Sequence, residues 1–341
     1  MADQPTGAQR LSVDQLTAWR DLEYGMFIHF GLATFSPKGA PHHNSPDIPI
    51  SHYQPTALDV DQWVQVARDA GMRYAILTAR HGTGFSLWPT KYSERHVGNT
   101  RYPSDVVELF VNACRRHGVI PALYINTIDR HNLFGSVVKP SDTRFSTTLT
   151  PAYMEHFANT ISELLTQYGS ILELWIDGPA QMTPADRRLI YNHIANTQPE
   201  TIIAMNSAFL TEGVSYKIKD GSWPSDLAVI EQSSPPYCTR TGWHTIAPNG
   251  GEPEAYFIPT ECSFHAFTNC SHWWFGGREQ QPYSTAELAG LRLLCRERKA
   301  NCLFNMSPTP DGVIDQSAVQ ALTSLAARMD QWDMRPAAAS S

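Results

Sequence analysis

A carboxylate that follows an apolar run is the residue of this sequence best placed for catalysis. Asp177 ends the run 171–176 and is followed by Gly-Pro. Before that run, apolar residues at helical spacing end at Gly169, which predicts a helix, a short turn and then a buried strand. An acid at the carboxyl end of such a strand is where a (β/α) barrel places its catalytic groups. The same aspartate could instead belong to a turn or cap a helix.

Strand-like runs that could position such an acid recur along the chain. Eight of them lie at residues 25–30, 73–78, 120–125, 172–176, 201–205, 227–230, 256–258 and 301–305. Helical patterns lie at 59–70, 104–117, 153–168 and 318–329, and capping residues mark further helix starts at Thr183 and Ser284. This alternation predicts an α/β protein built as a (β/α)8-type barrel. Residues 216–274 contain strands without convincing helices, so the later βα units should be irregular.

The length and the uniform composition indicate one domain. A single barrel typically takes about 250 residues, and this chain has 341. No linker rich in proline, glycine or serine, no break in composition and no internal repeat divides it. We therefore predict a single domain over residues 1–341, with a core from about residue 19 to about residue 332.

Three segments closely resemble the catalytic domain of family 29 glycoside hydrolases, the retaining α-L-fucosidases. They are MFIHFG at 26–31, ELLTQYGSILELWIDG at 163–178 and NCLFNMSPTPDG at 301–312, and they occur in the order found in the family. The resemblance runs from about Trp19 to about Gly312. It implies hydrolysis of terminal α-L-fucosyl residues and identifies Asp177 as the nucleophile. Many relatives carry a C-terminal β-sandwich, for which we expect no room in this sequence.

A retaining glycosidase needs a second carboxyl group about 5–5.5 Å from the nucleophile, to act as general acid and base. Glu231 and Glu261 are the two candidates, because each follows an apolar run. The segment IEQSSPP around Glu231 resembles the short acidic segment before a proline that often carries this role in the family. Glu261 resembles a later glutamate that shapes the sugar pocket. We favour Glu231 as the acid/base and Glu261 as a substrate-binding residue, although either could be a surface glutamate.

Two histidine motifs resemble the sugar-binding segments of the family. His29 lies in the HFG motif. The alternative interpretation of His29 is a buried histidine bonded to the backbone. His81 and Trp88 lie in TARHGTGFSLWPT, which resembles the family pattern T-A-K-H-H-D-G-F-x-L-W-P. Gly82 and Thr83 stand where the family usually has a second histidine and an aspartate. One expected contact to a sugar hydroxyl is therefore missing.

Further substrate-binding residues are predicted at strand ends and in aromatic pairs. Tyr124 and Asn126 follow an apolar run and resemble the tyrosine-containing strand end that lines the family's pocket. Trp175 lies two residues before the candidate nucleophile, so strand alternation points both side chains the same way. Trp274, with its neighbour Trp273, resembles the aromatic residue near the C6 methyl group of the sugar. Packing in the core is the alternative for these tryptophans.

The overall charge and hydropathy favour a small carbohydrate ligand over nucleic acid or a membrane. The net charge is −7, and the 26 basic residues form no cluster. No apolar run approaches the roughly 20 residues needed to cross a bilayer, and no signal peptide is visible at the N-terminus. We expect a cytoplasmic protein, unless a leader has been removed, that acts on a fucosylated oligosaccharide or glycoside. The sequence carries no signal for an oligomeric state.

Metal and cofactor chemistry is not expected. The six cysteines form no CxxC pair and fit reduced structural thiols, and no HxH or HExxH motif is present. His42 and His43 are neighbours, but without a second pair of ligands they are better interpreted as loop residues. Hydrolysis by two carboxyl groups requires neither a metal nor a cofactor.

Two alternatives to an α-L-fucosidase remain open. The altered segment after His81 could adapt the pocket to a related L-sugar, such as an α-L-galactoside. The chain could also be a carbohydrate-binding barrel without activity, because a fold does not determine a function. The presence of Asp177 argues against the second alternative, since a binding protein does not need a nucleophile.

Overall fold

Parallel strands arranged as a nearly closed barrel dominate the structure, a computed structural model that describes residues 4–36, 47–137, 148–206, 222–268, 273–274 and 281–333. The strands are β1 (Tyr24–Ile28), β2 (Tyr74–Arg80), β3 (Ile120–Asn126), β4 (Glu173–Asp177), β5 (Ile202–Met205), β6 (Ala228–Glu231), β7 (Trp243–Ile246), β8 (Glu254–Phe257), β9 (Thr260–His265), β10 (Phe267–Thr268), β11 (Gln281–Pro282) and β12 (Ala300–Asn305). Eight of them pair in the order β5-β4-β3-β2-β1-β12-β9-β6. All neighbours in this sheet are parallel, which confirms the predicted (β/α)8-type architecture.

Helices cover the outside of the barrel. They are α1 (Val13–Arg20), α2 (Val60–Asp69), α3 (Val106–His117), α4 (Pro151–Gln167), α5 (Pro184–Thr197), α6 (Thr285–Glu297) and α7 (Gln316–Asp333). The predicted caps are confirmed, because Thr183 caps α5 ahead of Pro184 and Ser284 forms a capping box with Glu287. Of the helices within the described ranges, none is long and apolar enough to cross a membrane.

Side-chain hydrogen bonds join the two edge strands of the barrel, β5 and β6. The backbone N–H of Asp226 donates to the Ile203 carbonyl at 2.8 Å, and the Asp226 carboxylate accepts from the Ile203 N–H. Ser225 Oγ accepts from the Met205 N–H at 3.0 Å. These bonds satisfy backbone groups that short edge strands would otherwise leave unpaired, and they hold β5 against the segment that leads into β6.

Two apolar layers fix where a ligand can bind. The larger layer lies between the strands and the outer helices. The smaller layer fills the barrel with Phe27, Tyr74, Tyr124 and Trp175, and α1 closes the N-terminal end with Trp19. The interior is therefore a packed core and not a pore, so a substrate site can open only at the carboxyl ends of the strands.

One predicted barrel strand is wrong. Residues 256–258 belong to the antiparallel hairpin of β7 and β8, and the barrel strand is β9, which begins just after Pro259. The strand was missed because its inward positions are polar, with Glu261, Ser263 and His265 alternating with the outward Cys262 and Phe264. Between residues 222 and 268 the chain forms this hairpin and no α-helix, which confirms the predicted irregularity.

The correction to β9 also moves Glu261 away from the carboxyl ends of the strands. Glu261 is the second residue of β9 and is fully buried at the N-terminal end of the barrel. Its carboxyl group accepts a 2.5 Å hydrogen bond from the Tyr74 hydroxyl and lies beside the carboxyl of Glu173, which accepts from Trp19. Since Glu173 lies four residues before Asp177 on β4, the pair of Glu173 and Glu261 lies about 13 Å along the strand from Asp177.

Two buried carboxyl groups in contact must hold a proton between them. Burial raises the pKa of Glu261 to about 8, although the hydrogen bonds from Tyr74 and Glu173 oppose the rise. Burial, followed by the repulsion from Glu261, raises the pKa of Glu173 well above its usual value. The folded protein therefore keeps these protons to a higher pH than the unfolded chain, whose glutamates titrate near about 4.3.

We predict that Glu173→Gln reduces the loss of stability at alkaline pH. In the native protein the contribution of the pair is complete below about pH 4 and is lost as the pH rises through about 8. The glutamine amide can donate to Glu261 without a titrating proton. The midpoint of urea unfolding should therefore fall less between about pH 5 and about pH 9 in the variant than in the native chain.

The exposed Glu155 on α4 offers a matched control, because Glu155→Gln removes a carboxylate without touching the pair. Its pH dependence should equal that of the native chain. An unchanged pH dependence in Glu173→Gln would contradict a proton shared between Glu173 and Glu261.

Candidate active site

Two carboxyl groups meet at the carboxyl ends of β4 and β6. Asp177 is the last residue of β4, Glu231 is the last residue of β6, and both are partly exposed. Asn206, which directly follows β5, donates from Nδ2 to Asp177 Oδ1 at 2.8 Å and to Glu231 Oε1 at 2.7 Å. Since both oxygens bond to one nitrogen, these two oxygens lie no more than about 5.5 Å apart, which is compatible with a retaining pair.

Four donors fix the orientation of the Asp177 carboxylate. Oδ2 accepts from the Tyr124 hydroxyl at 2.6 Å and from Asn126 Nδ2 at 3.0 Å. Oδ1 accepts from Asn206 and from the backbone N–H of Gly178, each at 2.8 Å. Burial and the nearby carboxylate raise the pKa of Tyr124 well above its usual value, so its hydroxyl remains a donor. The sequence-predicted residues Tyr124 and Asn126 therefore touch the predicted nucleophile.

The turn after β4 requires a glycine. Gly178 has a φ of +68°, in the left-handed region that side chains other than glycine's rarely adopt. A Cβ atom there would lie 3.1 Å from the hydroxyl of Thr127, which donates to the Gly178 carbonyl at 2.8 Å. The turn allows the Gly178 N–H to point back to the carboxylate of Asp177.

Glu231 is electrostatically suited to carry a proton at neutral pH. Burial of the carboxyl and repulsion from the Asp177 charge raise its pKa to about 8, and the hydrogen bond from Asn206 opposes the rise. Of two carboxyl groups so close together, the one with the raised pKa is suited to donate a proton and the ionised one is suited to attack. The geometry therefore assigns different chemistry to the two acids.

A wall of packed rings lies beside the two carboxyl groups and consists of His29, His81, Tyr124, Trp273 and Trp274. The His81 ring stacks on Tyr124 with a centroid distance of 5.5 Å and an angle of 5°. The His29 ring stacks on Trp273 at 5.5 Å and 19°. Trp274 meets the two histidine rings edge-on, at 5.4 Å and 5.2 Å. Such a surface combines apolar ring faces with imidazole nitrogens that can bond to hydroxyl groups.

The orientation of His29 is set by a neighbouring strand. Asn305, the last residue of β12, donates from Nδ2 to the Trp273 carbonyl at 2.6 Å, so its Oδ1 faces His29 Nδ1 at 2.7 Å. Because Oδ1 only accepts, Nδ1 carries the hydrogen, and Nε2 of the neutral ring is an acceptor. The buried histidine thus bonds to the side chain of Asn305.

The loop after His81 packs into the body of the barrel. The carbonyl of Gly82 accepts from the Arg130 N–H at 3.2 Å, and the buried Thr83 accepts at its carbonyl from Arg95 Nε at 2.8 Å. Gly82 brings no side chain to the edge of the site. The position at which the resemblance implies a second histidine is therefore smaller in this chain.

Two predicted substrate-binding residues, Trp88 and Glu261, lie outside this group, and a third, Trp175, lies beneath it. Trp88 is fully buried in the outer apolar layer and donates to Glu163 on α4 at 3.0 Å. Glu261 lies at the N-terminal end of the barrel, in the buried pair described above. Trp175 points to the same side as Asp177, as predicted, but it is fully buried against Phe27 at a centroid distance of 4.9 Å. It forms the floor of the site.

The structure adds residues that the sequence had not indicated. They are Asn206, His265 and Asn305, and each ends a barrel strand or directly follows one. His265 contacts Trp273 at a ring distance of 4.1 Å. Their position after a strand-like run is the signal that could have identified them, as it identified Asp177 and Glu231.

No group of three histidine, cysteine, aspartate or glutamate side chains within the described residues could hold a metal ion. Cys114, Cys262, Cys295 and Cys302 are buried free thiols. The predicted loop histidines, His42 and His43, lie outside the described residues.

Comparison with known families gives one family match over most of the chain. Residues 42–333 match the family described as α-L-fucosidase.

Two plant proteins are similar over most of this chain. The α-L-fucosidase 1 of Arabidopsis thaliana is 28% identical over 334 residues, covering 92% of this chain and 59% of the relative. A putative α-L-fucosidase 1 of Oryza sativa subsp. japonica is 26% identical and covers 89% of this chain and 56% of the relative. The chain thus spans less than two thirds of the length of these relatives.

Solved structures share the fold. A putative α-L-fucosidase from Bacteroides thetaiotaomicron has a TM-score of 0.72 at 25% identity, covering 96% of this chain and 70% of that one. An α-L-fucosidase from Lactobacillus casei, in complex with α-L-fucose product, has a TM-score of 0.72 at 19% identity. That comparison covers 94% of this chain and the whole of the other, and at this identity it shows the fold alone.

Proposed function

The chain belongs to the α-L-fucosidase family, and on that premise we propose that it is a retaining exo-α-L-fucosidase that forms a covalent glycosyl-enzyme on Asp177. The observation that carries the proposal is the pair Asp177 and Glu231, whose bonded oxygens lie no more than about 5.5 Å apart through Asn206. An inverting glycosidase needs a wider separation, about 6.5–9.5 Å, to hold a water between the acids.

In the first step Asp177 attacks the anomeric carbon, and the bond from this carbon to the leaving oxygen breaks. Glu231 gives its proton to that oxygen, so the leaving group departs as a neutral alcohol. The raised pKa of Glu231, about 8, keeps this proton available at neutral pH. The donors from Tyr124 and Asn126 hold the attacking carboxylate in place.

In the second step the change of charge at Asp177 prepares Glu231 to act as a base. Once Asp177 is part of an ester it carries no negative charge, and the repulsion that raises the pKa of Glu231 disappears. The ionised Glu231 then takes a proton from a water molecule, whose oxygen attacks the anomeric carbon and releases Asp177. Each of the two steps inverts the configuration at the anomeric carbon, so the product retains the configuration of the substrate.

The wall of rings supports a single terminal sugar as the substrate. His29 and His81 present imidazoles that can bond to sugar hydroxyls, and Trp273 and Trp274 offer apolar surface. The buried Trp175 closes the site from below, which suits an exo-acting enzyme. The substrate class is a fucosylated oligosaccharide or glycoside.

The absence of a side chain at Gly82 supports a second candidate, hydrolysis of a related α-L-galactoside. L-galactose carries an additional hydroxyl group at C6, and a smaller residue at the edge of the site could leave room for it. Relative rates with aryl α-L-fucoside and aryl α-L-galactoside decide between the two sugars. We expect the fucoside to react faster, and turnover of neither sugar would favour a binding protein.

We predict that Asp177→Ala abolishes turnover of aryl α-L-fucoside while the fold is kept, because the first step loses its nucleophile. Added azide should restore turnover and give a fucosyl azide of inverted configuration, since the anion enters the space left by the carboxylate. Product configuration by NMR checks this. Native-like activity in the variant would contradict the proposed mechanism.

We predict that Glu231→Ala distinguishes good from poor leaving groups. With an activated aryl fucoside the first step needs little protonation, so a burst of phenol should precede a slow steady state. Activity on an oligosaccharide should be nearly absent, and azide should give a product of retained configuration.

Glu261→Gln is the matched control for Glu231→Ala, because it changes a glutamate at the opposite end of the barrel. It should keep both activities close to those of the native chain. A burst and loss of oligosaccharide activity in Glu261→Gln, with near-native activity in Glu231→Ala, would assign the acid/base role to Glu261.

A further inference from the structure

The side chain of Asn206 contacts both members of the carboxyl pair. Its Nδ2 atom lies 2.8 Å from Asp177 Oδ1 and 2.7 Å from Glu231 Oε1. A primary amide carries two hydrogens on that nitrogen, so each carboxyl can receive one of them. Asn206 is 4% exposed, which removes most competition from water for these bonds.

The backbone fixes the height of Asn206 in the barrel. Its N–H donates to the Ile176 carbonyl at 2.9 Å, which continues the ladder between β4 and β5 by one residue. Asn206 therefore lies level with Asp177, the residue that follows Ile176. The amide is held by the sheet and does not depend on a loop for its position.

We propose that Asn206 is a positioning residue that sets the separation of Asp177 and Glu231 and directs the transferable proton of Glu231 to Oε2. This inference rests on the proposed function. Because Oε1 accepts the amide hydrogen, it is favoured as the carbonyl-type oxygen of the protonated acid. The proton then lies on Oε2.

The amide also opposes the charge effects that keep Glu231 protonated. Asp177 on β4 and the Tyr124 hydroxyl on β3 interact electrostatically with Glu231. On β9, the strand paired with β6, His265 lies two residues beyond Ser263, the pairing partner of Glu231. The Asp177 charge favours the protonated acid, whereas an N–H donor favours the ionised acid. As the proton leaves for the glycosidic oxygen, the bond from Asn206 becomes charge-assisted and strengthens.

Asparagine is the residue type that this role requires. An aspartate of the same shape has no donor and would add a third negative charge. A serine has one hydrogen and could serve one carboxyl at a time, and a glutamine is one methylene longer. The two-donor amide on a short side chain matches the distance between the two acids.

The test compares Asn206→Ala with Asn126→Ala, a matched control that also removes an amide donor from Asp177 but does not touch Glu231. In the native enzyme kcat/KM should fall on the basic side of its pH profile, at about pH 8, as Glu231 loses its proton. In Asn206→Ala the midpoint of this fall should move to higher pH by about half a unit or more. In Asn126→Ala kcat should fall, but this midpoint should stay in place.

A readout without activity separates this inference from the proposed function. Carbon NMR of protein labelled with 13C-glutamate follows the ionisation of Glu231, which is assigned by its loss in Glu231→Gln. The pKa of Glu231 should be higher in Asn206→Ala than in the native chain and unchanged in Asn126→Ala. A shift in the titration without fucosidase activity in the native chain would support the inference and overturn the proposed function.

A second variant covers failure of Asn206→Ala to fold. Asn206→Asp keeps the shape of the side chain and removes both donors, so it too should raise the pKa of Glu231. An unchanged or lowered pKa of Glu231 in the folded variant, or an equal upward movement in Asn126→Ala, would overturn the inference.

Discussion

The repulsion between two carboxyl groups whose bonded oxygens lie no more than about 5.5 Å apart is the interaction on which the proposed chemistry depends. In a partly buried site this repulsion keeps Glu231 protonated, while four donors hold the Asp177 carboxylate in place. The barrel makes the arrangement possible because parallel strands bring their last residues to one rim. Asn206 limits the repulsion by offering one hydrogen to each acid.

The filled interior of the barrel separates two buried acid pairs with different properties. At the N-terminal end Glu173 and Glu261 are fully buried with raised pKa values, so their pair serves stability. At the other end Asp177 and Glu231 are partly exposed, so a substrate can reach them. Similar pKa values of about 8 for Glu231 and Glu261 therefore have different meanings, because only one of these acids can meet a ligand.

The sequence predicted the barrel and the two acids because apolar runs mark most of its strands and an acid after such a run is conspicuous. It did not predict β9, whose inward residues are polar and interrupt the apolar pattern. That error put Glu261 at the wrong end of a strand. Asn206 was missed because an uncharged amide after a strand gives little signal until the two acids it joins are placed. Trp88 lies in a motif shared with the family, yet its ring packs in the outer layer.

In the proposed mechanism, recognition of the sugar and activation of the nucleophile are connected through one ring. Tyr124 stacks on His81 with its face and donates from its hydroxyl to Asp177. His81 also meets Trp274, which meets His29, so the wall behaves as one packed unit. A sugar that displaces any ring of this wall would shift the donor at Asp177. A correctly seated sugar leaves it in place, so on the proposed function discrimination between sugars would extend beyond binding into the rate of the first chemical step.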